Sequence, residues 1–314
     1  LGEVLVRVQA AGVCHHDLLH RAGHLPGAHT GVVLGHEVAG EVVEVGAGVT
    51  QLKVGARVVV YQRRFCGQCR DCLRGRQDLC RALGLPSVDT EGAYAEYLRI
   101  PAISAVELPD GLDYSLAALA SCPIATSVRA LYGEGGLQPG ETVLINGASG
   151  GLGAHQIQLA RALGARVIAV TGSADKRDFL HALGAHDVVV ASAGYSAEVW
   201  KLTGKRGVDV AMENLGHSLE DTLRSMALGG RVVVLGNVQP GAVAVNPGLL
   251  IGRRLKVQGS GSATLEQLRT ALALIHGGQV KPLIDRVLPF PQVSEAHALL
   301  ESRQVSGRIV LSGW

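Results

Sequence analysis

Aromatic residues are scarce in this 314-residue chain, at 4%, and charge is neither abundant (18% Asp, Glu, Lys and Arg) nor lopsided, at a formal +2. That balance gives no electrostatic footprint for nucleic acid and no pull toward acidic membranes, so neither is expected as a partner. Long apolar runs are missing too. None reaches the roughly 18 residues that cross a bilayer. The start carries no charged segment followed by an apolar block, the mark of an export signal, and a cytoplasmic location is expected. The chain opens instead in mid-strand, "GEVLVRVQAAG", from Leu1 rather than Met, so a preceding segment is expected.

What is present points to an enzyme-sized α/β protein. This length suits two domains. Hydrophobic residues make up 47%, and glycine numbers 42, nearly double its average share of about 7%. Abundant Gly, Val, Ala and Leu imply many tight strand–turn–helix joints.

Four of the six cysteines fall in "RRFCGQCRDCLRGRQDLCRA", residues 63–82, spaced Cys66-x2-Cys69-x2-Cys72-x7-Cys80. Thiols three residues apart rarely close an unstrained disulfide, but they converge readily on one ion at about 2.3 Å. Four thiolates in tetrahedral array suit zinc; an iron–sulfur cluster stays open as an alternative, and a disulfide pair is less favoured. Zinc with four cysteine ligands has no free position, so this lobe is expected to be structural. Arg70, Arg74 and Arg76 lie in it and are expected to offset its surplus negative charge.

The other two cysteines sit in "AGVCHHDLLHRAGH" (Cys14) and "LAALASCPIATSVRAL" (Cys122), and "VVLGHEVAGEVVEVG" supplies His36 and Glu37 ahead of a strand over Val38–Val45. A catalytic zinc needs about three protein ligands and one open position. Cys14, His36 and Cys122 can provide the three, with Glu37 an adjacent carboxylate able to exchange onto the metal. Singly, a buried cysteine is a small hydrophobe and a histidine a satisfied core or surface group.

"ETVLINGASGGLGAHQIQLARALGARVIAVTGSADKRDF" reads as strand, glycine turn, helix, strand. Thr142–Ile145 form the first strand. Gly147, Gly150, Gly151 and Gly153 permit close backbone approach to a pyrophosphate at a helix N-terminus. Ile157, Ala160, Arg161 and Gly164 continue the helical period, and Arg166–Val170 form the next strand. An NAD-selective site places Asp or Glu at that strand's tip to hold the ribose 2′-OH. Here stand Thr171, Gly172 and Ser173, then Lys176 and Arg177, so NADP(H) is favoured over NAD(H). The alternative is that Lys176 and Arg177 are a solvated helix face. Further strands are expected over Val208–Met212 and Arg231–Leu235, with Gly236 and Asn237 beside the nicotinamide ribose.

Taken in order, these pieces resemble the zinc-containing medium-chain dehydrogenase/reductases, the group of the zinc alcohol dehydrogenases: Cys14-His15-x-Asp17, Gly35-His36-Glu37, the four-cysteine lobe, Cys122 with Thr126, then the glycine turn. Ala148 interrupts a strict G-x-G-x-x-G, and the turn matches that family's variant with one extra residue. The resemblance implies a GroES-like β-rich catalytic domain (1–123), a Rossmann domain with a doubly wound parallel sheet (124–259) and a C-terminal return (260–314). It implies two zincs, the catalytic one on Cys14, His36 and Cys122, with Asp17 orienting the His36 imidazole. It implies Thr126 in the nicotinamide pocket, His15 and Arg308 at the cofactor, and a homodimer or homotetramer. The substrate is then a small alcohol, aldehyde or ketone.

Position 16 departs from the family, which commonly has Ser or Thr there to begin a proton relay; here it is His16, and His20 shares its helical face at i, i+4. His16 can take the substrate proton itself. The cofactor segment is also similar to NADPH-dependent quinone and enoyl-CoA reductase branches, which reduce an activated C=C bond without catalytic zinc. That alternative, with an enone substrate, stays open, as does a dinucleotide-binding protein without turnover.

Overall fold

The computed structural model describes residues 2–25, 27–82, 84, 90–191 and 194–314. Five strands come first: β1 (Glu3–Val13), β2 (Glu37–Val45), β3 (Arg57–Val60), β4 (Tyr97–Pro101) and β5 (Ala105–Glu107). Six follow: β6 (Thr142–Asn146), β7 (Arg166–Thr171), β8 (Asp187–Val190), β9 (Val208–Glu213), β10 (Met226–Val234) and β11 (Lys256–Gly259). Two close the chain: β12 (Ile284–Leu288) and β13 (Arg308–Ser312).

The chain divides into two compact units, the first comprising Leu1–Ala125, Ser262–Gly278 and Pro282–Trp314, the second Thr126–Gly261 and Gln279–Lys281. The short excursion 279–281 joins the second unit through a reciprocal pair: Lys281 N donates to Gln158 Oε1 at 2.9 Å, and Gln158 Nε2 donates to the Lys281 carbonyl at 3.0 Å. The sequence alone places the boundaries at 123 and 259 and gives the whole of 260–314 to the first domain.

In the first unit a seven-stranded sheet runs β12-β13-β1-β2-β3-β5, with β4 also paired to β1. β1 organises it. Its first half alternates inward Val4, Val6 and Val8 with Leu5, Arg7 and Gln9, as a half-covered strand should. From Ala10 to Val13 every residue is buried, because here β1 lies between β2 and β13 and is covered on both faces. Val4, Val6, Val42, Val58, Ile100 and Ile309 meet in one core.

The second unit is a six-stranded parallel sheet in the order β11-β10-β9-β6-β7-β8. Helices on both sides leave β6 and β7 as unbroken apolar runs; Val143, Leu144, Ile145, Val167 and Ile168 are wholly buried. Each contributes about 1.5–3 kcal/mol through burial. The helix after β6 spans Gly151–Ala162. Gly164 therefore lies past its end rather than within it, at φ +84°, where a left-handed residue after the C-cap stops the helix. β10 also starts earlier than Arg231, at Met226.

Candidate metal centres and cofactor site

The register of β1 assembles the first site. β1 and β2 are antiparallel with Gly12 opposite Glu37, so Cys14, just beyond β1, comes beside His36, just before β2. On the other edge Val13 pairs with Ile309, which brings Arg308 alongside Cys14. Cys122 arrives from a widened helical turn, Ala120–Ile124. Pro123 has no N–H to continue an α-helical ladder, and Ile124 N reaches back to the Leu119 carbonyl at 3.3 Å instead.

One donor atom from each of Cys14, His36, Glu37 and Cys122 lies within 4.8 Å of all the others. His36 Nδ1 is 3.0 Å from Asp17 Oδ1, which turns Nε2 toward the group, 3.9 Å from Glu37 Oε1. Asp17 is fully buried, and its second oxygen accepts from Cys14 N at 3.0 Å and from the Tyr94 hydroxyl at 2.9 Å. A hydrogen bond with Cys122 holds the Cys14 thiol well below the usual cysteine range against its burial, with Arg308 and His36 adding to it. Burial disfavours a charged His36, but Asp17 outweighs it and the imidazole stands well above its ordinary value. Burial also pushes the Glu37 carboxyl up to about 7, with Arg308 opposing.

Arg308 Nη2 stands 2.8 Å from Glu37 Oε1, yet the alignment is poor and neither Glu37 oxygen has a hydrogen-bond donor among the described residues. A fully buried carboxylate paired with one arginine, beside two sulfurs and an imidazole nitrogen, is a donor set suited to a further cation. The residues fit a zinc in the three-ligand, one-open-position class. Gly12 makes room for that carboxylate, since a β-carbon there would sit 2.1 Å from Glu37 Oε2.

The second group is the cysteine lobe. The separation of its sulfurs suits one tetrahedral ion: a tetrahedron with zinc–sulfur bonds near 2.3 Å has edges of about 3.8 Å. The sulfurs of Cys69 and Cys72 are 3.5 Å apart, those of Cys66 and Cys80 3.8 Å, and those of Cys66 and Cys72 4.0 Å. All four are free thiols, far beyond disulfide length. Backbone N–H groups of Gln68 and Cys69 hold Cys66 down to about 6, while burial pushes Cys72 up to about 12. Arg76 is occupied by Asp78, with two contacts of 3.0 Å, and Arg70 and Arg74 face solvent.

In the second unit Gly147 adopts φ +62°, which favours glycine, and Gly150 caps the helix that follows. A β-carbon on Gly153 would come 2.5 Å from the Gly147 carbonyl, so helix and turn pack as closely as a pyrophosphate cradle requires. Gly151 forms the helix's first residue. Thr171 ends β7, and its hydroxyl accepts from Ser173 N at 3.3 Å. The first carboxylate past the strand is Asp175, held by the Ser173 hydroxyl and kept below the usual carboxylate range by it. Lys176 is buried, and Arg177 Nη1 donates to the Val188 carbonyl at 2.8 Å. Gly236 and Asn237 follow β10.

His16 stands edge-on to His36 with ring centroids 5.1 Å apart, and burial followed by the His36 charge lowers its pKa. His15 and His16 open the helix His15–Arg21. His20, on the same helix, turns Nε2 toward the His29 carbonyl at 3.3 Å. Thr126 is buried in the helix Ala125–Val128. Sequence reasoning missed Gly12, Tyr94 and the pairing of Arg308 with Glu37. None has a local signal, since Tyr94 meets Asp17 across 77 positions.

Two family models match the chain, an alcohol dehydrogenase GroES-like domain over residues 1–110 and a zinc-binding dehydrogenase over 151–277. The chain is 35% identical to an alcohol dehydrogenase of Geobacillus stearothermophilus over 99% of its length and 92% of the relative's. It is 32% identical to an acryloyl-coenzyme A reductase of Sulfurisphaera tokodaii over 98% of its length and 92% of the relative's. The crystal structure of AibC superposes with a TM-score of 0.92 at 42% identity, over 100% of this chain and 88% of that one. The chain is an oxidoreductase that belongs to the medium-chain alcohol dehydrogenase family.

Proposed function

We propose that this oxidoreductase is zinc-dependent and transfers a hydride between NAD(P)(H) and an alcohol–aldehyde pair or a ketone. The observation that carries the reading is the donor group formed by buried Cys14, His36 and Glu37 and half-buried Cys122, with both Glu37 oxygens lacking a hydrogen-bond donor among the described residues. Cys14, His36 and Cys122 would hold the catalytic zinc, and Cys66, Cys69, Cys72 and Cys80 the structural one. When bound, the first ion would supply Lewis acidity toward a substrate oxygen, and a nicotinamide cofactor the hydride.

The chain's own residues divide the remaining work. Asp17 accepts the Nδ1 proton of His36 and fixes its tautomer, leaving Nε2 as the donor atom. Glu37 balances Arg308 and is near enough to exchange onto the ion. A ring nitrogen of His16 takes or returns the proton of the substrate oxygen, in place of the hydroxyl common in the family. Gly150, Gly151 and Gly153 would receive the pyrophosphate, with Thr126, Gly236 and Asn237 around the rest of the cofactor; a cofactor role for His15 and Arg308 rests on the family resemblance alone. NADP(H) is the preferred form, supported by the absence of a carboxylate within β7's tip and by Thr171, Ser173, Lys176 and Arg177 around it. The family resemblance is what supports a homodimer or homotetramer.

A second reading, a reductase of enoyl thioesters or quinones that uses no catalytic metal, is favoured by the likeness to acryloyl-coenzyme A reductase and by His16. One experiment separates them. Metal analysis and a panel of alcohols, aldehydes, ketones and enones are applied to the wild type and to Cys122→Ser. The first reading expects two zincs per chain falling to one, with loss of alcohol turnover. Unchanged turnover after loss of that zinc, or one zinc in the wild type, would refute it. A tenfold preference for NADH would overturn the cofactor assignment.

A further inference from the structure

β6 and β9 are neighbours at the middle of the parallel sheet, and the chain leaves them in opposite directions, toward β7 and β8 on one side and β10 and β11 on the other. Loops diverge at such a point, and ligands of open parallel sheets bind there. A divergence of loops needs something to fix its width.

Glu213, the last residue of β9, is fully buried at this point. Its carboxylate accepts from Leu215 N at 3.0 Å, Gly216 N at 2.9 Å, the Ser218 hydroxyl at 2.9 Å and the Thr222 hydroxyl, all in the segment that follows β9. It also accepts from Asn146 Nδ2, at 3.1 and 3.3 Å, across the sheet at the end of β6. Asn146 in turn grips both loops: its Oδ1 accepts from Gly147 N at 2.7 Å, the first N–H of the glycine turn, and its carbonyl accepts from Asn214 Nδ2 at 2.7 Å.

The loop after β10 rests on the same residue. Leu235 N and Gly236 N both reach the Glu213 carbonyl, at 2.9 and 3.3 Å. Gly236 packs so tightly that a β-carbon on it would fall 1.8 Å from the Asn214 carbonyl oxygen. Three loops at the carboxyl edge of the sheet, after β6, β9 and β10, are thus tied to one residue.

We propose that Glu213 is a positioning residue for the dinucleotide: its carboxylate, working through Asn146, sets the spacing between the glycine turn and the 214–218 segment, while its backbone carbonyl carries the loop after β10. It is buried and touches no ligand itself. This rests on the dinucleotide reading of the site. The chemistry is specific to a carboxylate, because every neighbour offers a proton. In Glu213→Gln one oxygen becomes an NH2 group. The amide fits best with its oxygen toward Leu215 N, Gly216 N and Ser218 and its NH2 toward the Thr222 hydroxyl, which can accept. Asn146 Nδ2 then faces another donor in place of the oxygen at 3.1 Å and keeps on residue 213 only the longer contact of 3.3 Å, so the tie between β9 and the side chain that holds Gly147 N is weakened.

The test measures dissociation constants for NADPH and NADH by fluorescence titration of wild type, Glu213→Gln and Asn146→Ala. Melting of the cofactor-free protein and backbone hydrogen exchange are followed beside it. The expected result is binding of both cofactors weakened tenfold or more in either variant, with melting within a few degrees of wild type. Faster exchange should be confined to 147–150 and 214–218. Wild-type affinity in both variants, or loss of affinity only in step with a global loss of stability, overturns the role given to Glu213. Failure of the wild type to bind either cofactor overturns the dinucleotide reading itself, and this inference with it. Should Glu213→Gln not fold, Asn146→Ala cuts the same tie from its other end and decides alone.

Discussion

Replacing Tyr94 by Phe isolates one hydrogen bond behind the Cys14, His36, Glu37 and Cys122 donor group. The Tyr94 hydroxyl donates to Asp17 Oδ2 at 2.9 Å, and Asp17 in turn holds His36 Nδ1 at 3.0 Å. The ring lies against Gly35, whose β-carbon, if it had one, would come 2.6 Å from Tyr94 Cδ1, and 6.0 Å from the His297 ring. Phe keeps those contacts and removes only the donor. A hydrogen bond to a charged group contributes about 1.5–3 kcal/mol. Asp17 retains two other donors, Cys14 N and His36 Nδ1, so the low end applies: about 1.5–2 kcal/mol, or about 13- to 30-fold in the folding equilibrium.

The assay is urea unfolding of the zinc-free protein, read on Trp314, which stacks on Phe290 at 4.2 Å in the first unit. A Trp200→Phe background removes the other tryptophan's signal. A double-mutant cycle with Asp17→Ala assigns the energy, because Tyr94→Phe should then cost close to nothing. Zinc affinity of the Tyr94→Phe variant, by chelator competition, should fall about tenfold, the low end for groups that orient a ligand. An equal cost in both backgrounds would place the effect in ring packing and refute the reasoning.

Gly12→Ala should eject the Glu37 carboxylate, since the added carbon meets Oε2 at 2.1 Å; overpacking of this kind costs about 1–3 kcal/mol, and thermal melting reads it. Arg308→Gln leaves the buried Glu37 charge unpaired and should destabilise the zinc-free protein by about 3–5 kcal/mol; adding Glu37→Gln should recover most of that, and no recovery would show that the pair is not the cause. His297 gives a pH dependence. Burial, then Arg21, whose Nη1 is 3.1 Å from Nδ1, lowers its pKa, while Asp17 and Glu301 oppose and the Tyr94 ring lies beside it. Its folded value lies below the unfolded one of about 6.5, so its contribution is complete above that pH and fades as pH falls through the folded value. His297→Gln should flatten this part of the stability profile between about pH 7 and 5, and an unchanged profile would exclude His297 as the source.

The parts legible in the sequence are those whose signal is local or chemically rare. β6, the glycine turn and β7 announce themselves because strand, turn and helix follow one another within a single stretch, and each needs a distinct composition. Cysteine is seldom placed at random, so six of them fall into two groups before any fold is known. The helix end at Gly164 is harder to place, because glycine fits both the apolar period and the cap, and only φ decides between them.

What stays hidden is set by register and by long-range pairing. Nothing in "AAGVCHHD" says that Gly12 lies opposite Glu37, yet that one pairing puts Cys14 beside His36, and a slip of one residue would turn Glu37 to the other face of the sheet. The same holds for Arg308, which the family resemblance offers as a cofactor-binding cation and the bare sequence as a surface one. It becomes the partner of Glu37 because β13 adds to the opposite edge of β1. Glu213 looks from the sequence like an ordinary polar residue ending a strand, and only the parallel pairing of β6 with β9 brings Asn146 to it. Donor chemistry can therefore be read residue by residue, whereas the charges that balance those donors and the bonds that aim them arise from strand order. Variants at Gly12, Tyr94, Arg308 and Glu213 probe that second layer without altering a single proposed metal-binding sulfur or nitrogen.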